Sequence, residues 1–140
     1  MAVQSREMKG SALTCNQFDE ACGMPVFTQS SHGFSIGDVV YRSSATAYAG
    51  ARADDTATIS PGLSLVIHVP DTNTHVPMAA TTSREVTFSS HGLGSFGQEL
   101  WLSQATAGLI TATEPSSGII IYLGYVVDAN TICWEPGVLY

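Results

Sequence analysis

Charge is what this sequence has least of. Acidic and basic residues together fill 12% of its 140 positions, about half the share of an ordinary soluble domain. Lys9 is the single lysine, and the formal net charge is −7. Phosphate binding draws on clustered Lys and Arg, so nucleic acid is excluded as the main partner. Cysteine is sparse too. Cys15, Cys22 and Cys133 are an odd number without C-x-x-C spacing, which argues for free thiols in a reducing compartment and against a metal or redox pair. No apolar run approaches the roughly 18 residues of a membrane span, and Met1 to Gly10 lacks the apolar centre of a signal peptide. A membrane is therefore not an expected partner. Heptads and short repeats are missing as well, which excludes an extended coiled-coil or β-helical shaft.

Hydroxyls and a long internal repeat stand where charge does not. The chain has 16 Ser and 14 Thr, a composition suited to strands and turns rather than helices. Phe27 to Phe34 reads FTQSSHGF and Val86 to Leu93 reads VTFSSHGL, identical at five of eight positions. One inserted residue later, Ile36 to Ala47 matches Phe96 to Ala107. Each copy then has a glycine before an apolar run (Gly62-Leu63, Gly118-Ile119) and a D-x-N-T turn, Asp71 to Thr74 and Asp128 to Thr131. A period of this size marks two structural units, one over about 26–78 and one over about 85–136.

The N-terminal stretch reads differently. Thr14 and Gln17 form a T-x-x-Q capping box, Leu13 and Phe18 occupy the positions of a hydrophobic staple, and Gly23 with Pro25 ends the pattern. Residues 1–23 are thus expected to be a polar arm and a short helix, Cys15 to Cys22, which at about two turns must dock on something to persist. Arg6 and Lys9 in the arm, with Leu13 and Phe18 on the helix, are the candidate docking residues.

From residue 24 to 140 the pattern is β. Leu63, Leu65, Ile67 and Val69 alternate with Ser64, Val66 and His68, the period of a strand with one buried face. Strands are also expected at Val26 to Thr28, Asp38 to Ser43, Thr74 to Met78, around Val86 and Phe88, at Glu99 to Ser103, Leu109 to Thr113, Ile119 to Val127 and Thr131 to Glu135. Ala45 to Ser60 has few large residues and gives no strand signal. The expected fold is a mainly β protein, an antiparallel β-sandwich or barrel built from two tandem repeats. Ile119 to Val127 is apolar on both faces, so its second face is covered either by the sandwich or by another subunit. With the apolar ending Pro136 to Tyr140, this nominates Ile120, Tyr122, Val126, Trp134, Leu139 and Tyr140 as an oligomer interface.

Candidate chemistry is thin. His32 and His91 each sit in S-S-H-G, but a nucleophilic serine needs a base and an orienting carboxylate in space, and no G-x-S-x-G elbow exists. A turn repeated at equivalent points accounts for both. His68 and His75 flank the Pro70 to Asn73 turn and are expected to face each other across a hairpin, too few ligands for zinc. Asp54-Asp55 lies in a loop, and Gly92-Leu93-Gly94 lacks the strand-to-helix setting of a phosphate loop. No catalytic, cofactor or metal residue is assigned, and the chain is read as non-enzymatic.

The segments HGFSIGDVVY, WLSQATAGLITATEP and LGYVVDANTICWEP, with SALTCNQFDEACG near the start, resemble the small β-rich domains of tailed-bacteriophage virion proteins. That group includes capsid decoration (cement) proteins, head fibres and tail-fibre or appendage modules. The resemblance spans about residues 13 to 136 and falls on Ile36 to Tyr41, Trp101 to Pro115 and Gly124 to Thr131. It implies a structural role without catalysis, assembly as a homotrimer, docking on the major capsid protein or another virion protein, and location in the virion after assembly in the host cytoplasm. A compact knob with a docking arm favours a cement protein. A tail appendage, or a receptor- or glycan-binding module, is the alternative.

Overall fold

A computed structural model describes residues 24–54, 62–79 and 83–139. The expected arm and helix, with Arg6, Lys9, Leu13 and Phe18, lie outside the described residues, as does Tyr140. Among the described residues there are ten strands and no helix: β1 (Phe27–Thr28), β2 (Val39–Ser44), β3 (Ala47–Gly50), β4 (Leu63–Asp71), β5 (Thr74–Ala79), β6 (Arg84–Thr87), β7 (Glu99–Leu102), β8 (Ile110–Thr111), β9 (Ile120–Asp128) and β10 (Thr131–Leu139). They form two five-stranded antiparallel sheets, ordered β1-β5-β4-β2-β3 and β6-β10-β9-β7-β8. Adding five to each label of the first order gives the second.

The two sheets face each other across one core. Val39, Leu63, Leu65, Ile67, Val76 and Met78 come from the first, and Val86, Leu100, Leu102, Ile121, Leu123, Val126, Ile132 and Trp134 from the second. The period-two alternation of β4 supplies Leu63, Leu65 and Ile67 to that core. Along one side the sheets are also stitched by main chain. Val39 N–H donates to the Gly108 carbonyl, Gly108 N–H to Ala51, and Ala53 N–H to Ser103. The architecture is therefore a sandwich with a hydrogen-bonded seam.

That seam accounts for β3, a strand the sequence did not signal. A Cβ placed on Gly50 would lie 3.2 Å from the Ala107 side chain, and Ala51 and Ala53 are fully buried. Small residues are needed where two backbones touch, so the large alternating side chains that announce a strand are missing.

Two expectations about the second half are corrected. β9 is not uniformly greasy: Gly124, at φ 138°, lets the alternation slip by one residue. Ile121, Leu123 and Val126 point inward, while Ile120, Tyr122, Tyr125 and Val127 are half-buried on the outer face. Val126 and Trp134 are fully buried between the sheets, so they belong to the monomer's core and not to an oligomer interface. The apolar ending is likewise no free tail. β10 continues to Leu139, pairing Gly137 with Tyr122, Val138 with Ile121 and Leu139 with Ile120. Pro136 falls at the irregularity between Trp134 and Gly137, where a missing N–H is tolerated.

Candidate functional site

The S-S-H-G loops and the D-x-N-T turns are two parts of one device. After β1, Ser31 takes φ 52° and Gly33 φ 71°; after β6, Ser90 takes 54° and Gly92 67°. These left-handed residues curl the loop so that each histidine ring lies against the turn of the following hairpin. His32 Nδ1 accepts the Phe34 N–H at 2.9 Å, and its Nε2 meets the carbonyls of Asp71 and Thr74 at 2.8 Å each. His91 Nδ1 accepts the Leu93 N–H at 3.0 Å, and its Nε2 meets the Asp128 carbonyl at 2.6 Å. A ring whose Nδ1 accepts and whose Nε2 faces a carbonyl carries its proton on Nε2. Both nitrogens then serve the backbone, which leaves neither to act as base toward a serine.

The turns answer with their asparagines. Asn73 Oδ1 accepts the Ser31 N–H and Asn130 Oδ1 the Ser90 N–H, at 2.9 and 2.8 Å. Asp71 and Asp128 in turn accept the N–H groups of Asn73 and Asn130, each at 2.8 Å. Those backbone bonds, helped by the Thr74 and Thr131 hydroxyls, hold both carboxyls below the usual range. In both loops it is the backbone N–H of the second serine that the asparagine holds. Both motifs were visible as repeats, but their mutual contact was not, although each S-S-H-G is followed by one D-x-N-T.

His68 and His75 do not face each other. His68 is opposite Val76 on β5, and His75 is opposite Phe27 on β1. His75 is fully buried among Phe27, Phe34, Tyr48 and His32, with ring centroids 5.0 to 5.5 Å away. Its Nε2 lies 3.2 Å from Gln29 Oε1, which also accepts the Tyr48 N–H. Burial, and then the nearby His32, push its pKa down to about 4. This buried histidine is the polar feature the sequence reading missed. Its one sequence signal was an imidazole in a strand position between Thr74 and Val76.

A shallow cleft of about 120 Å³ lies between the halves, lined by Gly37, Asp38, Phe88, His91, Leu93, Gly108, Leu109 and Ile110. Asp38 is half-buried, and burial raises its carboxyl pKa against the opposing effect of the Ser35 N–H. His91 is already engaged as described. A second groove of about 430 Å³ runs along Met24, Pro25, Tyr48, Pro77, Met78, Ala79 and Arg84. Among the described residues no three His, Cys, Asp or Glu side chains gather as a metal site. Cys133 is a buried free thiol whose pKa is raised, first by burial.

The outer face of the second sheet carries two cross-strand rows. One runs Thr111, Trp101, Tyr122, Gly137; the other runs Glu99, Tyr125, Cys133, Glu85. Trp101 and Tyr122 pack edge to face at 5.5 Å, and Tyr125 does the same with Phe96, a ring 76% exposed, at 6.4 Å. Neither row contains Lys or Arg. Of the nominated interface residues, Ile120 and Tyr122 lie on this face, and Leu139 is paired to Ile120 through its backbone. Comparison with protein-family models, with curated proteins and with solved structures finds no match.

Proposed function

We propose that this chain is a non-enzymatic structural protein of a bacteriophage virion, a capsid decoration (cement) protein that bridges capsid subunits and stabilises the head. The observation that carries this reading is the outer face of the second sheet. Half-buried Tyr122, Tyr125, Ile120 and Val127 with exposed Phe96, backed by the buried ring of Trp101, form an aromatic and aliphatic surface of the kind interfaces favour. The histidines that invite an enzymatic reading have both ring nitrogens occupied by backbone. The phage likeness of the Ile36 to Tyr41, Trp101 to Pro115 and Gly124 to Thr131 segments supports the same conclusion.

Glu85 and Glu99 end one row, and no base balances them within it. Glu135, which accepts from the Cys133 thiol, adds a third carboxylate, and two copies meeting face to face would bring six together, which is unfavourable when they are desolvated. A capsid surface offering Arg or Lys beside apolar groups fits better. The homotrimer expected from the phage likeness would then use another surface, leaving this face to the shell. Each copy's modest contact adds to those of its neighbours through multivalency.

The test uses particles depleted of the protein. Added wild-type chain should rebind and raise the temperature at which heads release DNA. Tyr122→Glu should keep the fold and lose rebinding, and removal of residues 1–23 should weaken rebinding without changing thermal unfolding of the β domain. Undiminished rebinding by Tyr122→Glu would refute the assigned face. A second reading, a tail appendage that binds a receptor or glycan, is favoured by the Phe96–Tyr125 pair, because an exposed ring beside a tyrosine can stack on a sugar. Labelling at the tail tip rather than over the head would favour it.

A further inference from the structure

The two loop-and-turn devices are alike, but only the first has a buried histidine behind it. Counting from the D-x-N-T turns, His75 follows Thr74 and Ile132 follows Thr131. His75 is fully buried; among the described residues its Nδ1 has no hydrogen-bond partner, and its Nε2 meets the Gln29 amide oxygen. It sits 5.0 Å from the ring of His32, the same ring that clamps the loop to Asp71 and Thr74. A charge on His75 would therefore be desolvated and would press on the clamp itself.

We propose that His75 is the trigger of an acid-operated latch: proton uptake by its ring unseats it and frees residues 29–37 from the 71–74 turn, in the first half of the molecule only. The groups around it all favour this direction. Arg42 of β2 lies over Phe27 and Tyr48, at 4.9 and 5.3 Å from the two ring centroids, so the cage already holds one cation. His32 would be a second positive group when protonated. Tyr48 of β3 presents a neutral ring, Gln29 an uncharged amide, and His68 of β4 stands one pair away opposite Val76. The Asp71 carboxylate is already engaged by the Asn73 N–H and the Thr74 hydroxyl. Among the described residues no acid faces His75 to stabilise an imidazolium. Its depressed pKa, about 4, agrees with this geometry.

The sign follows from linkage. A histidine with a lowered folded pKa is neutral in both states above about 6.5, so the closed latch has its full stability there. As pH falls through that value the open state takes up the proton first and becomes more populated, until the closed form also titrates near 4. Between pH 7 and pH 5 the open population should rise about 20-fold. Opening would uncover more of Phe27, Phe34 and Tyr48, which are half-buried in the closed form.

The second half supplies an internal control. Amide exchange protection of Gln29, Ser31, His32 and Phe34, measured by NMR on the full chain at pH 7 and pH 5, should fall about 20-fold more than that of Phe88, Ser90, His91 and Leu93. Equal losses in both halves, or none, would overturn the latch. His75→Phe keeps a ring and removes the titration, so the difference between halves should vanish; if it persists, His75 is not the trigger. Should that variant fail to fold, the His75 ring shifts of the wild-type chain decide the matter. A midpoint near 4 supports the latch, and one near the ordinary 6.5 refutes it.

Discussion

At the scale of single residues, histidine works here as a backbone ligand. His91 satisfies the Leu93 N–H and meets the Asp128 carbonyl, groups that water can reach once the ring is gone. His91→Ala should therefore destabilise the fold by about 1–2 kcal/mol without abolishing it, measured as a lower urea midpoint with an unchanged slope. Asp128 carries the matching pH dependence. Its carboxyl is held low by the Asn130 N–H first and the Thr131 hydroxyl second. A depressed folded pKa contributes stability that is complete above the unfolded value near 3.8 and is lost as pH falls through the folded one. In Asp128→Asn the dependence of the melting temperature on pH should flatten below pH 4. The variant's curve lying parallel to wild type there would show that the carboxylate contributes nothing. Gly124 is the least replaceable residue of the second sheet. It has φ 138°, and a Cβ there would overlap the Cys133 carbonyl oxygen. Gly124→Ala should cost at least 3 kcal/mol, or prevent folding, as read by denaturant titration.

At the scale of elements, the strands that could be read were those packed by large side chains. β4 announces itself because Leu63, Leu65 and Ile67 alternate with smaller or polar neighbours. β3 does not, since the seam admits only Ala and Gly beside Ala107 and Gly108. β9 was located correctly but its two faces were confused, because Gly124 breaks the period in the middle. A glycine inside an apolar strand is a bulge signal, and reading it so would have placed Val126 indoors. The ending Pro136 to Tyr140 reads in the sequence as an apolar tail. Through Leu139 the chain is instead the return arm of the β9–β10 hairpin, and that gives a test. Deleting residues 137–140 removes the partners of Ile120, Ile121 and Tyr122 on a central strand. Stability should fall by several kcal/mol, with a lower melting temperature in calorimetry; an unchanged transition would mean the arm only lies alongside.

At the scale of the molecule, the repeated strand order does not make two independent domains. Each sheet offers one apolar face, and among the described residues the other sheet covers it. Leu100, Leu102, Ile121, Leu123, Val126, Ile132 and Trp134 on one side meet Val39, Leu65, Ile67, Val76 and Met78 on the other. At about 1.5–3 kcal/mol for each large apolar side chain, either face left in water forfeits as much as the 5–15 kcal/mol that holds a typical domain together. The seam adds to this, since Val39, Ala51 and Gly108 complete one another's backbone hydrogen bonds across the halves. Fragments 24–79 and 83–140, made separately, should each lack a cooperative thermal transition and show collapsed amide dispersion in NMR. Mixed in equal amounts they should recover both. Because the two strand orders correspond, one fragment has a second route to burial, pairing with its own copy as a homodimer. That outcome would preserve the shared-core argument, with two equal sheets in place of two similar ones. A folded monomer of either fragment would refute it, for then one sheet would have closed its core without the other.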